Sequence, residues 1–246
     1  MASASTPLII PTITTEKREV FDKQFAQYRE RPAIHLDYSD GTLAPSHTLN
    51  LRSLSDIADK VRLPSEDMSS GKPALHIHIM ASDPRSVLDD AIALHPQMVF
   101  LHVEADLTND EFGSVIDELT ATYCSVGIAL LQKADPEDER VKVILSNPRV
   151  HEVLIFGGKL GYQGGVADLS QLDKIAKIKV YRPDVGFAWD GGANIENVDK
   201  IRDAGVGLIN VGAAVAKASD PLTELSLLDE MVTEDSDEIP LCNNCD

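Results

Sequence analysis

Eight short apolar runs rich in Val, Ile and Leu recur along this chain, near 8–13, 33–37, 74–79, 98–103, 125–130, 152–156, 185–189 and 207–211. Between them, over 16–30, 50–61, 84–94, 108–122, 168–178 and 194–204, apolar residues fall at three- and four-residue spacing. Short continuous apolar runs suit strands buried on both faces, and the longer period suits amphipathic helices. Eight strand–helix units in 246 residues predict an α/β fold of the (β/α)8 (TIM) barrel class, for which about 250 residues is typical. An open, doubly wound sheet is the competing architecture. It is disfavoured because no Gly-x-Gly-x-x-Gly follows the first run. Asp83-Pro84 and Asp135-Pro136 predict helix starts, each an N-cap acid followed by proline, and Gly205 predicts the end of the helix over 194–204.

One barrel domain is expected over 1–232, with no internal boundary. From Thr233 the chain reads Thr-Glu-Asp-Ser-Asp-Glu, acidic and poor in apolar residues, which predicts a flexible tail over 233–246. A net charge of −18 argues against nucleic acid or an anionic membrane as the main partner. It leaves room for a small phosphorylated ligand held by local amides. No apolar run reaches membrane-spanning length, and the Met-Ala-Ser-Ala-Ser-Thr-Pro start lacks the pattern of a secretory signal, so the expected location is the cytoplasm. Three cysteines are too few for a disulfide-built fold. Cys124 precedes an apolar run and reads as a packing thiol. Cys242 and Cys245 form a lone Cys-x-x-Cys, which is either half a metal site or dithiol, or part of a solvated tail.

Chemistry concentrates at four residues. His35 and Asp37 lie two apart in Ile34-His-Leu-Asp37, so on a strand they share a face. His78 falls in the run Ala74-Leu-His-Ile-His-Ile79, and Asp190 closes Val185-Gly-Phe-Ala-Trp-Asp190. Each alone also fits a polar strand-end residue held by backbone hydrogen bonds. In a barrel, the C-terminal ends of strands converge on the active site. There the four offer two imidazoles and two carboxylates, enough for one divalent metal.

Three glycine-rich segments follow late strands: Gly157 to Gly165 after the sixth, Asp190-Gly191-Gly192 after the seventh, and Gly212-Ala213 after the eighth. Exposed backbone amides in such turns bind phosphate without basic side chains, and barrels commonly bind phosphate after strands seven and eight. The alternative is that these glycines only permit tight turns. Lys159 either adds charge or is solvated.

These motifs resemble the ribulose-phosphate 3-epimerase family, over about Ile9 to Pro221. His35-Leu-Asp-Tyr-Ser-Asp-Gly-Thr-Leu-Ala-Pro45 is similar to the family's His-x-Asp-x-x-Asp-Gly-x-x-x-Pro signature. His78-Ile-Met80, His102-Val-Glu-Ala105, Gly161-Tyr-Gln-Gly-Gly165 and Asp190-Gly-Gly192 are similar to four further family motifs. The resemblance implies metal ligation by His35, Asp37, His78 and Asp190, with Asp37 and Asp190 as the acid/base pair. It implies zinc or iron(II), with manganese or cobalt as further candidates, a small sugar phosphate as substrate, and a homo-oligomer. Substrate and phosphate contacts are expected at Thr15, Gly161, Gly164, Gly165, Gly191, Gly192, Gly212 and Ala213. The implied reaction interconverts D-ribulose 5-phosphate and D-xylulose 5-phosphate by proton removal and return at C3.

The chain also departs from the family. Methionines of the family site fall on Ser39 and Phe156, an asparagine-proline on Leu131-Gln132, a similar pair on Lys159-Leu160, a serine on Ala213, and an aspartate on His76. These changes bear on the sugar rather than the metal. They keep in view an epimerase of a related ketose phosphate and a non-catalytic metabolite-binding barrel. A decarboxylase-type barrel would carry Asp-x-Lys-x-x-Asp, and Asp37-Tyr-Ser-Asp40 has no lysine.

Overall fold

The computed structural model describes residues 6–160 and 164–233. Its eight strands are β1 (Leu8–Ile13), β2 (Ala33–Ser39), β3 (Ala74–Met80), β4 (Met98–His102), β5 (Ser125–Leu130), β6 (Val150–Phe156), β7 (Gly186–Asp190) and β8 (Leu208–Val211). All neighbours pair in parallel, in chain order, and β8 closes on β1, so the sheet is a complete barrel with no free edge. The (β/α)8 expectation holds.

Side-chain alternation explains why the strands read as unbroken apolar runs. In β2, Ile34, Leu36 and Tyr38 point outward into the main core, while His35, Asp37 and Ser39 point inward, and all seven positions are buried. The outer shell comprises α1 (Arg18–Tyr28), α2 (Leu88–Ile92), α3 (Asn109–Ala121), α4 (Glu139–Leu145), α5 (Asp173–Lys179), α6 (Val198–Asp203), α7 (Ala213–Lys217) and α8 (Pro221–Thr233). Inside the barrel, Phe100, Ala129, Leu154, Phe156 and Ala188 form a separate apolar cluster.

Local signals account for several ends. Thr108 and Glu111 make a reciprocal capping box that starts α3. Asp83 caps a 3-10 turn over Pro84–Val87 that leads into α2, as its Asp-Pro pair predicts. Gly205, at φ +90°, follows α6 in the left-handed conformation expected of a helix end. Two expectations need correction. The helix predicted at Asp135-Pro136 starts later: Asp135 instead closes a turn onto the Glu137 N–H, and Asp138 caps α4. The segment expected as a helix over 50–61 is a 3-10 helix, Leu51–Ile57, capped by Asn50. The region assigned to the tail begins inside α8, which runs to Thr233. The remainder, with Cys242 and Cys245, lies outside the described residues.

Candidate metal centre

The barrel register gathers the four residues. β2 carries His35 and Asp37 on its inner face, and Asp37 pairs directly with His78 of β3. His35 lies deeper than a strand end, because β2 continues past Asp37 as Tyr38 and Ser39 pair with Ile79 and Met80. Asp190 is the last residue of β7, and its carbonyl accepts the Gly157 N–H at 2.8 Å. The turn that follows depends on Gly191. Its φ is +106°, and a Cβ there would lie 2.2 Å from the Gly158 nitrogen. Only glycine allows the loops after β6 and β7 to close together beside Asp190.

One ligand atom from each of His35, Asp37, His78 and Asp190 lies within 4.8 Å of all the others. His78 Nδ1 is 3.2 Å from Asp37 Oδ1 and 3.4 Å from Asp190 Oδ2. His35 Nε2 is 3.4 Å and 3.9 Å from the same two oxygens. Ligands at about 2.0–2.1 Å around a tetrahedral ion would stand about 3.3 Å apart, so the spacing suits such an ion. Both imidazoles are fully buried, and the aspartates are 9% and 8% exposed.

Electrostatics favour the charged forms here. Burial pushes the Asp37 carboxyl up, but the imidazoles of His35 and His78 that face it hold it well below the usual carboxylate range. Burial pulls His78 down, yet Asp190 and Asp37 together raise it to about 9. Both ring nitrogens of His35 are buried without a hydrogen-bond partner, even though Nε2 faces two carboxylates. A buried lone pair with nothing to accept from is costly unless a cation meets it. Two imidazoles and two carboxylates are a suitable donor set for zinc or iron(II).

A cavity of about 680 Å³ opens above this cluster, lined by Asp37 and Asp190. Thr15, Gly164, Gly165, Gly191, Gly192, Gly212 and Ala213 line the same cavity, as do Met80 and Phe156. Gly161 lies outside the described residues. The Thr15 hydroxyl accepts the Lys17 N–H at 3.1 Å. The side chain that reaches the cluster from β1's end is Thr14, whose hydroxyl donates to Asp37 Oδ2 at 2.6 Å. Sequence reasoning missed Thr14, although its two-residue spacing from the inward Thr12 was a usable signal. Lys217 was missed as well. It lines the cavity, and its Nζ lies 2.6 Å from where a Gly164 Cβ would be. Cys124 is buried, as expected.

Fold and site together define a class: a (β/α)8 barrel with a buried two-histidine, two-aspartate cluster at its C-terminal mouth. The model of the ribulose-phosphate 3 epimerase family matches residues 9–216, and the chain belongs to that family. The chain is 24% identical to ribulose-phosphate 3-epimerase of Treponema pallidum, over 74% of this chain and 77% of that one. It is 25% identical to the Helicobacter pylori protein of the same name, over 76% and 80%. Among solved structures, 3-hexulose-6-phosphate synthase from Salmonella typhimurium superposes with a TM-score of 0.66 at 12% identity, covering 92% of this chain and 98% of that one. That likeness concerns the fold. Among the described residues, no helix is long and apolar enough to cross a membrane.

Proposed function

We propose that this chain is a metal-dependent epimerase that interconverts D-ribulose 5-phosphate and D-xylulose 5-phosphate. The observation that carries the reading is the cluster itself: two carboxylates and two imidazoles, buried together yet open to one cavity through Asp37 and Asp190. His35 Nε2, His78 Nδ1 and one oxygen from each aspartate would hold a divalent metal, zinc or iron(II) by ligand type. When bound, the ion would act as a Lewis acid on the ketose oxygens and favour the enediolate, a contribution of several kcal/mol.

The rest falls to the chain. Asp37 and Asp190 stand on strands three apart around the barrel, through β1 and β8, so their carboxylates approach a substrate from different sides. One takes the proton from C3, and the other delivers a proton to the opposite face. The result is inversion with no change in formula. Thr14 holds Asp37 Oδ2, which fixes the carboxylate's orientation during the exchange. Met80 and Phe156 give the cavity apolar walls beside the reacting carbon. The glycine segments at 164–165, 191–192 and 212 would present amides to the phosphate, with Lys217 adding positive charge in an otherwise acidic chain.

A second reading, turnover of a different ketose phosphate, is favoured by one observation. A side cavity of about 370 Å³ shares Phe156 and Gly158 with the main one and is lined by Leu131, Gln132 and Leu160, all positions of departure from the family pattern. The test is to incubate metal-loaded protein with D-ribulose 5-phosphate and with hexulose 6-phosphates, following products by NMR. Xylulose 5-phosphate formed at the highest kcat/KM supports the first reading, and preference for a hexulose phosphate supports the second. No turnover of any ketose phosphate contradicts both and returns the chain to a binding role. Light scattering checks the accompanying expectation of a homo-oligomer.

A further inference from the structure

The motif His102-Val-Glu-Ala105 has no role in the reaction above, yet it touches the centre directly. His102 closes β4 on the inner face and is buried. Its Nε2 lies 2.8 Å from Nε2 of His78, and the two ring planes are 28° apart with centroids 4.8 Å apart, so the rings meet edge to edge. On the far side, His102 Nδ1 lies 3.3 Å from Glu104 Oε2. The other oxygen of Glu104 accepts the Leu131 N–H at 2.9 Å, which locks the carboxylate in place.

Two ring nitrogens at 2.8 Å need one proton between them, and Glu104 decides which ring supplies it. A carboxylate only accepts, so His102 must carry its proton on Nδ1 to donate to it. His102 Nε2 is then a bare acceptor, and His78 must donate from its own Nε2. That leaves Nδ1, the atom facing both aspartates, as the His78 nitrogen whose proton an ion can displace. We propose that Glu104 and His102 are positioning residues: a two-step hydrogen-bond relay that fixes the His78 tautomer and so readies Nδ1 for the ion. Outer partners of this kind typically contribute 10- to 100-fold to metal affinity. The inference rests on the metal reading of the cluster.

Glu104→Gln tests it with a single-group change. The Leu131 N–H would hold the new amide's oxygen, turning its NH2 toward His102 Nδ1. Both imidazoles would then reverse, so that His78 Nε2 accepts from His102 and Nδ1 has to keep its proton. In His102→Gln, by contrast, the amide oxygen can accept from His78 without help from Glu104. The experiment measures zinc affinity by chelator competition for wild type, E104Q, H102Q and the double variant. Long-range 15N NMR of the metal-free wild type reads the His102 tautomer, and circular dichroism checks folding.

The proposal expects His102 protonated on Nδ1, E104Q weakened 10- to 100-fold, H102Q within about 3-fold of wild type, and the double variant no worse than H102Q. Protonation of His102 on Nε2, or wild-type affinity in E104Q, overturns the relay while the metal centre stands. Should E104Q fail to fold, the wild-type tautomer and the H102Q affinity decide the matter. A wild type that binds no zinc defeats the metal reading itself, and the relay with it.

Discussion

At the mouth of the barrel, burial places opposite charges against one another, and they stay charged: His78 is raised to about 9, and Asp37 is held well below its ordinary range. Toward the floor, burial acts without such partners. Glu152, inward-facing on β6 beside Gly127 and Gly186, is pushed up to about 8, and His76, beside His35 on β3, is pushed down to about 3. Desolvation acts strongly at both ends, against the shifts at the mouth and along with them at the floor, so burial alone does not mark a functional group. What distinguishes the mouth is pairing: each carboxylate there faces two imidazoles, and each imidazole faces two carboxylates.

The largest effect expected from breaking this pairing is on turnover. Asp37→Asn and Asp190→Asn should each lower kcat by about 10²–10⁴-fold or more while the far-ultraviolet circular dichroism stays native, because each removes a proton carrier and a ligand. Near-wild-type kcat in both variants would mean that the pairing serves structure only.

Metal uptake should depend on pH in the direction the paired charges dictate. Without metal, His78 keeps its second proton up to about pH 9, and an ion must displace it from Nδ1. Apparent zinc affinity, read by competition titration, should rise about tenfold per pH unit from 7 toward 9 and flatten above. A flat profile over that window would show that the imidazole–carboxylate pairing is weaker than the distances imply.

Thr14→Val is a smaller perturbation. It removes the 2.6 Å hydrogen bond to Asp37 Oδ2, one to a charged group and so worth about 1.5–3 kcal/mol, and should cut kcat about 10- to 100-fold with a lesser change in KM. The smallest effect belongs to the floor. Below about pH 4.5 Glu152 is protonated folded or unfolded. Between that pH and about 8 only the folded state holds the proton, so stability falls as pH rises through the window. Glu152→Gln should raise Tm at pH 8 by about 2–4 °C, roughly 1 kcal/mol for a chain this size, and by less at pH 5, with kcat unchanged.

The same contrast explains what could be read from the chain. Metal-type residues at the mouth were legible because a two-residue spacing on a strand fixes a shared face, as with His35 and Asp37, and because glycines mark the turns after β6 to β8. The floor was not legible: His76 sits in a strand buried on both faces, where alternation leaves no trace in hydropathy, and Glu152 is a half-buried acid beside the exposed His151 at the start of β6. Thr14 lies just past the last residue of β1, and only by carrying the strand's two-residue alternation on from Thr12 does it, rather than Thr15, turn inward. The start of α4 was misplaced because two acids three residues apart each offer a cap, and the chain uses Asp138. The tie between His102 and His78 joins side chains 24 positions apart in sequence, beyond the reach of any local pattern.

Solvent-deuterium incorporation at C3 of D-ribulose 5-phosphate, with zinc-loaded and chelated protein side by side in D2O, tests the central claim most directly. The account predicts rapid exchange with the loaded protein, at least 10²-fold slower exchange after chelation, and recovery when zinc is restored. Equal exchange in both samples, or none in either, would contradict the assignment of His35, Asp37, His78 and Asp190 as a catalytic metal centre.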